Sequence, residues 1–137
     1  MRVSLIRRFI SMASTILNVP EVDIDPTGVF KYILLELRGG SPDDKKILVR
    51  GYGVCNYHVD VNDMVTDELQ KLKLKGEVDQ WNTKVLGGGR IIHDSSNKTI
   101  KVYGYSQAYG KADHATTVEL LRKVYSDYDI SWSDEGY

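Results

Sequence analysis

The sequence predicts an α/β chain of the mixed α+β kind: one mixed sheet of about six strands flanked by two helices. Residues 29–38 and 46–52 are dense in β-branched and aromatic side chains, as strands are. Residues 61–72 and 112–125 repeat apolar side chains at helical spacing. Between the helices, residues 90–93 and 99–103 read as a hairpin around the polar turn 94–98, with Asn97 as a turn former.

Asp25-Pro26-Thr27-Gly28 reads as a turn entering the first strand. Asp23-Ile24-Asp25-Pro26-Thr27 matches the D-x-D-x-T nucleophile motif of haloacid-dehalogenase-type phosphatases. No apolar strand precedes it, and the chain is short for that fold, so the match is set aside. In residues 29–38, Phe30, Tyr32 and Leu34 share one face; Val29, Lys31, Ile33, Leu35 and Leu37 share the other. Lys31 is the lone charge in that second row, either snorkelling to water or aimed at an anion. A polar loop at 39–44 leads to the second strand, where Arg50 reads as a surface charge or another anion contact. Asp60 is a candidate N-cap for the helix at 61–72, whose stripe is Val61, Met64, Val65, Leu69 and Leu72. The basic cluster Lys71, Lys73 and Lys75 suits that helix's C-terminal end, which Gly76 closes. A short strand or loop is expected near Trp81. In the second helix Val118, Leu121, Val124 and Tyr125 form the stripe, with Asp113 near its start. A last strand is expected at 128–132.

Composition bounds the function. A length of 137 residues suits one domain, and a net charge of −1 offers no broad field for nucleic acid. No apolar run reaches transmembrane length. Cys55 is the single cysteine, so no internal disulfide forms, which fits a reducing, cytoplasmic setting. Residues 1–20 read as a separate N-terminal extension before a domain at 21–137. They carry three arginines, three serines and no acid, which fits either a flexible tail or a mitochondrial targeting segment, with Met12 as an alternative start.

Two stretches carry candidate chemistry. Leu86-Gly87-Gly88-Gly89-Arg90 and the small-residue loop at 104–110 read either as a phosphate cradle or as a hairpin with loose glycine-rich ends. His58 falls at a strand-to-helix turn, where it serves catalysis or simply caps the surface. No C-x₅-R follows Cys55, so a buried, inert thiol is expected there rather than a thiol nucleophile. His93 and His114 lack partners at metal-ligand spacing.

These pieces also form an ordered set. V-D-I-D-x-x-G-V-F-K-Y begins at Val22, V-R-G-Y at Val49 and Y-H-V-D at Tyr57. L-G-G-G-R-I-x-H follows at Leu86, V-Y-G-Y-S-Q-A-Y-G at Val102, D-H-A at Asp113 and D-E-G-Y at Asp134. In this set the chain resembles the phosphohistidine phosphatase and janus family, with Y-S-Q and G-K-A-D-H-A similar to the insect janus branch. The resemblance implies catalysis by His58, substrate contact by Lys31, and a phosphate-binding loop at Ser106, Gln107 and Ala108. It implies less defined anion roles for Arg50 and Arg90. It further implies no metal cofactor, and a substrate of phosphohistidine, with phospholysine beside it, in proteins. The expected protein is a monomer that binds phosphohistidine-containing proteins and neither nucleic acid nor membrane. The rival expectation is a non-catalytic phosphoprotein-binding module with a sex-determination or germline role.

Overall fold

The structure, a computed structural model, describes residues 15–134. The chain runs β1 (Val22–Ile24), β2 (Gly28–Arg38), β3 (Lys45–Gly51), α1 (His58–Leu74), β4 (Asn82–Asp94), β5 (Thr99–Tyr103), α2 (His114–Val124) and β6 (Asp129–Trp132). The strands form one six-stranded sheet in the order β1-β3-β2-β4-β5-β6. The outer pairs, β1 with β3 and β5 with β6, are parallel; the inner pairs are antiparallel. Among the described residues no helix is long and apolar enough to cross a membrane.

Alternation along β2 decides which helix covers which face. Phe30, Tyr32 and Leu34 join a core with Ile91, Ile100, Val102 and Ile130, closed by Val118 and Leu121 of α2. That core reaches Ile24 on β1, so the sheet curls around α2. Ile33, Leu35 and Leu37 point the other way, to Leu48 and to Val61, Val65 and Leu69 of α1. Each fully buried Leu or Ile contributes about 1.5–3 kcal/mol. α1 lies mainly over β2 and β3, with His58 in its first turn reaching β4, and among the described residues no helix covers the same face of β5 and β6. Its stripe omits Met64, which is exposed; likewise Val124 of α2 faces solvent.

Several boundaries differ from the sequence expectation. α1 begins at His58 rather than Val61: Tyr57 is the N-cap, and Asp60 sits one turn in, its carboxylate accepting the Tyr57 N–H at 3.0 Å. The expected strand near Trp81 is the first half of β4, which continues through Gly87–Gly89 into the hairpin. A bulge at Leu34/Leu35, opposite Leu86, keeps both halves of β4 in register with β2. The three-residue β1 is too short to show a period, and its parallel partner β3 follows only after β2. Folded chain also reaches back into the segment read as an extension: a 3-10 turn at Thr15–Asn18 buries Ile16, Val19 is buried beside it, and Lys46 Nζ donates to both carbonyls. The targeting reading of the N-terminus and the alternative start at Met12 lie outside the described residues.

Candidate functional site

β4 brings the expected site residues together through its three glycines. Gly87 packs against the backbone of Ala112, Gly88 against His58, and Gly89 against His114 on the opposite face. A Cβ on Gly88 would lie 2.7 Å from His58 Cδ2, 2.8 Å from the Tyr32 carbonyl oxygen and 3.0 Å from Ser106 Cβ. His58 and Ser106 therefore converge on one spot of bare backbone. The glycines are not loose ends. They are mid-strand positions where side chains are excluded so that other groups can approach. Gly88→Ala is expected to push His58 off its seat, lowering turnover at least tenfold and stability by about 1–3 kcal/mol. Side-by-side kinetics and urea melts on the folded variant check this.

His58 occupies the first position of α1 and is buried. One ring nitrogen, Nε2, lies 2.9 Å from the Gly89 carbonyl oxygen. A carbonyl can only accept, so Nε2 carries the proton and donates it. The neutral ring's lone pair is then on Nδ1, which meets no hydrogen-bond partner among the described residues. Burial holds the His58 pKa below the usual histidine value; the Gly89 bond opposes this, and the charges of Lys31 and Arg90 add to the lowering. The positive end of the α1 dipole acts in the same direction. His114 is also held low, chiefly by burial.

These shifts have a definite sign. An unfolded histidine takes its proton near pH 6.5, and the folded His58 and His114 only at lower pH. Between those values the unfolded chain binds more protons, so stability falls as pH drops below about 6.5. Imidazole titration by NMR is expected to place both midpoints below 6.5, with that of His58 moving up in Lys31→Met. A His58 midpoint at or above 6.5 would contradict this account.

Lys31 and Arg90 are cross-strand neighbours on the same face as His58. They line a cavity of about 200 Å³ with Val29, Phe30, Gly53, Cys55 and Asn56. Cys55 is a floor group: its thiol pKa is raised by burial, and Sγ points to Met64 Sδ at 3.3 Å. The loop at 104–110 is held against β4 by Gly88 N–H to Gly110 O (2.9 Å) and Ala112 N–H to Gly88 O (3.0 Å). Within it Ser106 and Gly110 exchange both backbone bonds, and Ser106 Oγ accepts from Tyr109 N–H at 3.1 Å. The Ser106 hydroxyl hydrogen remains available for donation. Gln107 and Ala108 form the exposed tip, and their N–H groups make no backbone bond among the described residues.

Arg50 does not join this group. It is fully buried and binds Glu68 of α1 through Nε and Nη2, at 3.1 and 3.2 Å. Its remaining bonds go to the carbonyls of Pro20, Glu21 and Val49. It ties α1 and the entry to β1 onto β3, and offers nothing to a ligand. Alternation places it opposite Ile33, facing the helix, which a strand-end reading could not reveal.

His93 and His114 also find structural places. His93 lies between Tyr125 and Tyr128, bonded to Asp25 O and Tyr128 Oη. His114 opens α2, donates from Nε2 to Gly104 O at 2.8 Å, and accepts the Tyr32 hydroxyl at Nδ1, 2.6 Å away. Asp113 caps α2 through Thr116 N–H. The role of the Gly89 carbonyl was missed in the sequence, although glycine inside a strand pattern signals close approach of another group. Among the described residues no three His, Cys, Asp or Glu gather where they could hold a metal ion.

Residues 16–129 match the family model described as Janus/Ocnus family (Ocnus). The chain is 42% identical over 130 residues to the 14 kDa phosphohistidine phosphatase of Sus scrofa, covering 91% of this chain and 98% of that protein. It is 44% identical over 124 residues to the Homo sapiens protein of the same name, covering 87% and 94%. It is 46% identical over 120 residues to the sex-regulated protein janus-A of Drosophila yakuba, covering 88% and 83%. With this coverage at this identity, and with the family model spanning most of its length, the chain belongs to the Janus/Ocnus family.

Proposed function

We propose that this protein is a protein histidine phosphatase that hydrolyses the P–N bond of phosphohistidine, with His58 as general base. The observation that carries the proposal is the state of His58: Nε2–H is fixed on Gly89 O, so the lone pair is held on Nδ1, beside Lys31 and Arg90 and opposite Ser106. Relatives named phosphohistidine phosphatase support the same reading. In the proposed step Nδ1 takes a proton from water as its oxygen bonds to phosphorus. The P–N bond breaks, and its electron pair goes to the substrate imidazole, which then gains a proton from solvent. Lys31, Arg90, the Ser106 hydroxyl and the loop N–H groups hold the phosphoryl oxygens while charge shifts among them. A depressed His58 pKa keeps the base unprotonated at neutral pH. These residues supply cationic stabilisation without a bound metal, so metal independence is part of the proposal.

The test is phosphate release from a phosphohistidine peptide in EDTA. Release by wild type supports the phosphatase. An acid-labile phosphate trapped on His58 would replace the base with a nucleophile. Peptide binding with no release would favour the rival, a phosphoprotein-binding module, which the janus-A relatives keep in view.

A further inference from the structure

The sheet face that α1 leaves bare continues directly from the candidate site. Lys31 pairs with Arg90, and Arg90 with Tyr103. One step along the strands, Val29 pairs with Ile92, Ile92 with Lys101, and Lys101 with Ser131. Paired residues point to one side, so these two rows form a single floor shared with His58. Beyond Arg90 the floor opens into a groove of about 500 Å³, lined by Ile92, Lys101, Tyr103 and Ser131, with Trp132 at its border. Trp132 meets the groove from the opposite face of β6, where it pairs with Val102, and Val29 on the floor is 58% exposed. The charged groups in the two rows are Lys31, Arg90 and Lys101; the carboxylates on this face, Asp94 and Asp129, stand one row farther from the site, paired through Thr99.

We propose that this groove seats the segment of a phosphorylated protein that flanks its phosphohistidine, one carrying an apolar side chain and acidic neighbours. The proposal rests on the phosphatase reading for the position of the phosphoryl group. Strands lie about 4.8 Å apart, so the groove centre is about 10–14 Å from Lys31, and an extended segment crosses that span in three or four residues. The apolar side chain would meet Ile92 and Tyr103, and the acidic ones Lys101. A small phosphoramidate would use only the His58 end. The site would then select phosphoproteins by sequence three or four residues from the modified histidine.

The probe is a fluorescently labelled peptide carrying a non-hydrolysable phosphohistidine analogue, with leucine and glutamate three and four residues away. Anisotropy with the full chain is expected to show binding that Ile92→Ala and Lys101→Glu each weaken about tenfold. Both variants are expected to hydrolyse phosphoramidate at the wild-type rate. Unchanged peptide binding in both variants would overturn the proposal. A parallel loss of phosphoramidate hydrolysis would overturn it too, since that marks a damaged site. A dimer that dissociates on the same substitutions would assign the face to a second copy of the chain. If wild type binds the peptide through the groove but hydrolyses neither substrate, the phosphatase reading fails and the docking assignment stands.

Discussion

His58→Ala is expected to lower phosphate release from a phosphohistidine peptide by about 10²–10⁴-fold, the range for removing a positioned acid–base group. The loss should appear in kcat, because the phosphoryl contacts proposed for Lys31, Arg90 and the 106–110 loop do not involve the imidazole. His58→Gln sharpens the result. Its amide can donate to Gly89 O as Nε2 does, but it offers no basic lone pair. Activity as low as in the alanine variant is therefore expected, with better retained stability. A glutamine variant that turns over near the wild-type rate would remove His58 from the chemistry.

Arg50→Met is expected to give the largest loss of stability, about 3–5 kcal/mol, because it strips the partner from Glu68 and from three backbone carbonyls. For a domain of this size that corresponds to roughly 10–20 °C in melting temperature, measurable by calorimetry. Turnover per folded molecule should stay within about threefold of wild type, since nothing on Arg50 faces the site. An unchanged melting temperature with collapsed turnover would return Arg50 to the phosphate-binding group.

Periodicity made much of the fold legible. The alternation in β2 named both sheet faces, and the stripes in α1 and α2 named most of the residues that cover them. It failed where packing across the sheet decides. Tyr57 takes the N-cap place expected of Asp60 because the helix starts three residues early, carrying His58 into the first turn. Arg50 resembles a strand-end charge until α1 is laid over it with Glu68 facing in. The glycine run was legible as unusual, but whether it faces an anion or two imidazoles depends on which helix ends arrive there. The pairing of Lys31 with Arg90 is a register fact that neither segment states alone.

The two histidines that open the helices make a matched pair of probes. Both rings are neutral at Nδ1 and donate from Nε2 to a strand or loop carbonyl, and they press on adjacent glycines from opposite sides of one strand. They differ at Nδ1: that of His114 is sealed by the Tyr32 hydroxyl, that of His58 is open. The molecule thus contains its own reference signal. In a nitrogen-15 spectrum His114 should hold still through a phosphate titration while His58 moves. Any displacement common to both would report strain in the shared strand rather than occupancy of the site.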